Sequence, residues 1–198
     1  EWGLDLTMLG VNLNDNSEPV LADPVAREAL DWAEAQAAPD PRLIARILNL
    51  QGAITQQLPG AEARTDAIHA RLLGMLEADP ALDPPRLEAV RLMVSRRLAS
   101  KGEYAESEKL ALAVIADIRK SEPLRERDLA AALGALGALY MKSGRNAERV
   151  EVYRESLPLV QRALGDEHWQ AGIVRHNLAS ALEAIGQLRD PGAEPEVT

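Results

Sequence analysis

Apolar residues recur at helical spacing along most of the chain. Leu129, Leu133, Leu136 and Tyr140 follow one another every three or four positions, the interval that lines one face of a 3.6-residue turn. The same pattern predicts helices at about 2–13, 24–37, 41–58, 61–78, 85–100, 103–120, 126–143, 145–164 and 168–185. From residue 41 these fall into antiparallel pairs, 41–58 with 61–78, 85–100 with 103–120, and 126–143 with 145–164, leaving the last helix unpaired. Pro158 lies inside 145–164 and predicts a kink there.

Glycine punctuates this pattern at a fixed interval. Gly60, Gly102, Gly144 and Gly186 are each 42 residues apart, and such a period marks stacked helical repeats. Each glycine supplies a left-handed turn that ends one helix and releases the chain into the next. Asp23-Pro24, Asp40-Pro41 and Asp83-Pro84 each set a capping carboxylate before a proline at the first helical position, and Asp166 is the expected cap of the last helix. The expected organisation is a helical N-terminal cap over 1–40 and repeats over 41–83, 84–125 and 126–167. A terminal helix over 168–186 and a disordered tail over 187–198 complete it.

Composition narrows the picture. The chain has 198 residues, is 46% hydrophobic and lacks Phe. Its apolar content is mostly Ala, Leu, Val and Ile, which suits close helix packing and an all-α fold. The net charge of −9 opposes nucleic acid as a ligand, because phosphate binding needs a basic footprint. No Cys is present, so disulfides and thiol chemistry are excluded. No apolar run reaches the ~20 residues of a membrane span. The chain opens on Glu1 without a signal peptide and is expected to be a piece of a longer polypeptide, so any membrane link would come through an upstream segment.

Candidate chemistry is sparse. His69, His168 and His176 are the three histidines, and no His-Glu-x-x-His or phosphate-loop motif accompanies them. His69 is expected to be half-buried, Trp32 to be core, and Trp169 to sit near a repeat edge as an anchor or a packing staple. No nucleophile–base set can be assembled, so no catalytic residue, metal site or cofactor is expected.

The stretch Leu136-Gly137-x-x-Tyr140-x-x-x-Gly144, continuing to Tyr153, resembles the tetratricopeptide (TPR) repeat in its 42-residue, kinesin-light-chain-like form. Leu164-Gly-Asp-Glu-His-Trp-Gln-Ala171 resembles the connector of that class, and His176-Asn177-Leu178-Ala179 its Asn-Asn-Leu-Ala segment. The small residue usual in the second helix is replaced by Thr65, Ser107 and Arg149. The resemblance implies a right-handed α-α solenoid that is not an enzyme and binds a protein or peptide on its concave face. Carried over by position, the groove residues are Gln51, Arg96, Met141, Lys142, His176, Asn177 and Ser180. Ile54, Leu92, Gly134 and Ala138 are also turned inward.

Residues 23–48 are similar to the segment that opens TPR arrays in bacterial transmembrane Ser/Thr kinases. This implies a sensor or regulatory segment of a signalling protein, extracytoplasmic if the parent spans a membrane and cytoplasmic otherwise. A free-standing TPR adaptor and the repeat region of a winged-helix regulator are the alternatives. The uncovered last helix also offers a face for a second copy to form a homodimer.

Overall fold

The computed structural model describes residues 2–186, and the expected tail over 187–198 lies outside them. The helices among the described residues are α1 (Trp2–Asp15), α2 (Pro19–Glu34), α3 (Pro41–Thr55), α4 (Glu62–Ala78) and α5 (Pro84–Lys101). They continue with α6 (Tyr104–Arg119), α7 (Glu126–Lys142), α8 (Asn146–Leu164) and α9 (Trp169–Ala184). The chain divides into two compact units, Glu1–Val90 and Arg91–Thr198.

Local chemistry explains several helix ends. Gly60, Gly102, Gly144 and Gly186 all have positive φ, between 67° and 82°, the left-handed region that only glycine enters cheaply. Asp40 accepts from the Arg42 amide at 2.9 Å, and Asp83 accepts from the Arg86 amide at 3.1 Å. Two expected caps are corrected. α2 begins at Pro19, with Asp23 buried inside it and held by Arg27 and Arg64. A carboxylate with two guanidinium partners gains more from them than from free amides. His168 caps α9 through Nδ1, which accepts from the Gln170 amide at 3.2 Å. Asp166 is taken up by Arg175 and Gln161 instead. α8 runs through Pro158 as one helix.

In the first unit, α1, α2 and α3 pack on one another, and α4 packs on α3. Ala22 and Ala26 of α2 meet Leu50 and Ile54 of α3 in one core cluster. His69 of α4 is 2% exposed, more deeply buried than its sequence position suggests. A Cβ on Gly52 would lie 2.3 Å from His69 Nε2, so the imidazole occupies the space that glycine leaves on α3.

In the second unit, α6, α7, α8 and α9 pack in chain order. The stripe Leu129, Leu133, Leu136 and Tyr140 of α7 is buried with Ile115 and Ile118 of α6 and Tyr153 of α8. Gly137 admits Tyr153, whose Cζ would lie 2.6 Å from an added Cβ. That is the close approach the Leu136-Gly137 pair implies.

Candidate functional site

The site is built on α7. Turned away from its leucine stripe are the small residues Ala131, which is exposed, and Gly134, Ala135 and Ala138, which are half-buried. At the C-terminal end of α7, Ala135, Ala138 and Lys142 join Ser95, Arg96 and Ala99 of α5 around a groove of about 140 Å³. Its depth is set by two buried serines. Ser95 Oγ donates to the Ser107 carbonyl at 2.8 Å, and Ser107 Oγ donates to the Ser95 carbonyl at 2.7 Å. This reciprocal pair draws α6 against α5 without a bulky side chain between them, and it explains Ser107 at the position where the repeat usually has Ala.

Several arginines elsewhere in the second unit are paired with carboxylates. Arg91 holds Asp117 at 2.9 Å, Arg119 holds Glu155 at 2.7 Å, and Arg162 holds Glu126 at 2.8 Å. Arg145 is shared between Glu108 and Glu148 and stacks over the Tyr140 ring at 4.5 Å. Tyr140 donates to Glu108 at 2.7 Å. Burial works to raise Glu108, but the hydrogen bonds from Arg145 and Tyr140 outweigh it and hold the carboxyl below its ordinary range. Burial and the Glu108 contact push the Tyr140 phenol up to about 12. This cluster is a closed structural network, with each charge satisfied. Arg96 and Lys142, by contrast, are exposed and have no carboxylate partner among the described residues.

The other expected groove residues are distributed differently. Met141 is 51% exposed beside Lys142. His176 is exposed, while Asn177 and Ser180 are half-buried, all on α9. The Asn177 carbonyl accepts from Arg149 at 3.3 Å. Gln51 lies in the first unit, 4% exposed, and its amide donates to the Ala26 carbonyl at 3.0 Å, tying α3 to α2. Of the seven, then, Arg96 and Lys142 line one groove, and Gln51 is engaged in a helix–helix contact.

Sequence reasoning singled out Gly134 and Trp169 separately but did not join them in a second groove. At the N-terminal end of α7, Arg127, Ala131 and Gly134 face Trp169, Gln170 and Ile173 of α9 across about 380 Å³. Trp169 is 66% exposed and Ile173 48% exposed. Gln170 Oε1 is buried without a hydrogen-bond partner among the described residues. The available signal was Ile173, which stands one position off the buried stripe Ala171, Val174 and Ala181 of α9. Trp32 is half-buried, not core: it lines a separate cavity of the first unit with Arg42 and Arg46. No group of three or more His, Cys, Asp or Glu residues is arranged to hold a metal among the described residues, and no described helix is long and apolar enough to cross a membrane.

Residues 129–170 match the family model of the tetratricopeptide repeat. No curated protein matches the sequence. Among solved structures, a kinesin-light-chain-type protein of Podosopora anserina with nearly identical TPR-like repeats has a TM-score of 0.74 at 19% identity, covering 93% of this chain and 87% of that one. A point variant of that protein has a TM-score of 0.76 at 19% identity, with coverages of 93% and 86%. BtubC (BKLC) of P. vanneervenii has a TM-score of 0.79 at 13% identity, with coverages of 98% and 84%. Residues 129–170 are thus a tetratricopeptide repeat, and the chain has the all-α, TPR-like helix-pair fold of kinesin-light-chain-type repeat proteins.

Proposed function

We propose that this chain is a non-catalytic interaction segment whose second unit holds an acidic, partly apolar peptide along α7. The observation that carries the reading is the pair Arg96 and Lys142. In a chain with 31 acidic and 22 basic residues, two cations without a carboxylate share one groove. A ligand carboxylate there completes their pairing. Small residues of α7 connect this point to the groove beneath Trp169 and Ile173, where an apolar side chain of the same peptide is buried. Met141, His176, Asn177 and Ser180 supply the remaining contacts, Asn177 through an amide that both donates and accepts.

Selection of a random peptide library on the full chain tests this. Enriched peptides are expected to carry Asp or Glu near an apolar residue. Arg96→Ala with Lys142→Ala is expected to weaken them about tenfold or more, since hydrogen bonds to charged groups contribute about 1.5–3 kcal/mol. Enrichment without acidic residues, or equal binding by the double variant, overturns the reading.

The parent polypeptide is proposed to be a bacterial signalling protein, a transmembrane Ser/Thr kinase, with this chain as its sensor or regulatory segment. The support is the similarity of residues 23–48, now seen as parts of α2 and α3. The coding sequence upstream of Glu1 decides it. A kinase domain followed by an apolar span of ~20 residues supports the parentage. A start codon directly upstream replaces it with a free-standing adaptor.

A further inference from the structure

A second surface lies in the first unit, on α1 and the first turn of α2. α1 packs inward through Gly10, whose added Cβ would lie 3.2 Å from Leu50 and 3.8 Å from Val25. Positions two apart on a helix are about 200° apart, so Met8 points away from that contact, and Leu9 and Val11 flank it on either side. Met8 is 69%, Leu9 48% and Val11 39% exposed. The chain turns through Asn16 and Ser17 into α2, whose first turn presents Val20 at 71% and Leu21 at 56% exposure. Five large apolar side chains thus stand in solvent on one helical hairpin. The inner faces of its helices are satisfied by Leu6, Ala22, Ala26 and Leu30. Apolar exposure on this scale marks an interaction surface.

Charge selects the occupant. The first 26 residues contain Glu1, Asp5, Asp15, Glu18 and Asp23 and no Lys or Arg. Asp23 is neutralised by Arg27 and Arg64. Asp5, Asp15 and Glu18 are exposed and have no cationic partner among the described residues. A second copy would bring the same carboxylates face to face, and an anionic membrane would be repelled. We propose that the outer face of α1 and the first turn of α2 dock a basic amphipathic helix of another protein. Its apolar side covers Met8, Val11, Val20 and Leu21, and its lysines or arginines meet Asp5, Asp15 and Glu18. This surface is independent of the Arg96–Lys142 groove, which has the opposite charge preference.

The test uses the full chain and a labelled model peptide of about 18 residues, five helical turns, with leucine on one face and lysine on the other. A counterpart carries glutamate in place of lysine. Anisotropy titrations are expected to show binding of the lysine peptide only. Met8→Ser with Val20→Ser, which leaves net charge unchanged, is expected to weaken it by about tenfold or more. Asp15→Asn with Glu18→Gln is expected to weaken it and to flatten its salt dependence. Arg96→Ala with Lys142→Ala is expected to leave it unchanged. Leu21→Ser serves as a second apolar variant, and circular dichroism verifies that each variant is folded. Equal binding of both peptides overturns the proposal, as does an affinity insensitive to the apolar variants. So does a dimer in light scattering, or binding to phosphatidylserine vesicles, that Met8→Ser with Val20→Ser abolishes.

Discussion

At the scale of single residues, two glycines on one helix carry opposite consequences. Gly137 faces Tyr153, and a methyl group there would lie 2.6 Å from the ring. Gly134 has nothing within 4 Å of the same position. Gly137→Ala is therefore expected to destabilise the chain by about 1–3 kcal/mol, the usual cost of overpacking. Gly134→Ala is expected to stabilise it by about 0.5–1 kcal/mol, because alanine restricts the unfolded chain and favours the helix. Urea titrations of the two variants read both signs, and a matching sign would refute the packing account. The tightness at Gly137 was legible, since Leu136-Gly137 precedes an aromatic partner in the motif. The close fit of His69 against Gly52 was not, because the two residues sit on different helices and neither belongs to a local signal.

At the scale of elements, Arg149 joins α8 to α9. It is 5% exposed, lies 5.8 Å from the Tyr153 ring centre and donates to the Asn177 carbonyl, while its Nε has no partner among the described residues. A buried guanidinium without a carboxylate contributes little net stability, because desolvation offsets what it gains. Arg149→Met, of similar volume, is expected to be neutral or stabilising within about 1 kcal/mol. Arg149→Ala leaves a void and is expected to cost about 1–3 kcal/mol. Thermal melts compare them, and a methionine variant as damaged as the alanine one would mean the charge itself holds α8 to α9. Helix boundaries follow the apolar periodicity closely, as α4 (Glu62–Ala78) and α7 (Glu126–Lys142) show. Asp166 is drawn from its expected capping role by Gln161 and Arg175, 5 and 9 residues away, whereas Asp23 is drawn from its own across the fold. Arg64 is 41 residues from Asp23, and no local reading of Asp-Pro sees it.

At the scale of the molecule, acid acts on the two units in different windows. Burial lowers the His69 pKa from 6.5, so the unfolded chain takes up a proton there that the folded chain refuses. Stability of the first unit is therefore full well above pH 6.5 and falls as pH drops below it. Glu108, in the second unit, is held below its ordinary 4.5, so its contribution is present above that value and is lost as pH falls further. Urea midpoints measured from pH 7.5 to 5 are expected to decline in the wild type and to decline less in His69→Gln. Identical slopes would remove His69 from the account.

The sequence by itself determined the helix pairs, their 42-residue period and the repeat resemblance at 126–186, because these depend on neighbours within a turn or two and on glycine's access to positive φ. The tertiary structure alone decided which charges remain free. Arg119 and Arg162 are neutralised by carboxylates 36 residues away on other helices, whereas Arg96 and Lys142 are left facing a common groove. Pairing across helices depends on packing geometry that no local spacing encodes, so the fold and the repeat positions of Arg96 and Lys142 were legible in the sequence, while their lack of carboxylate partners emerged only once the helices were brought together.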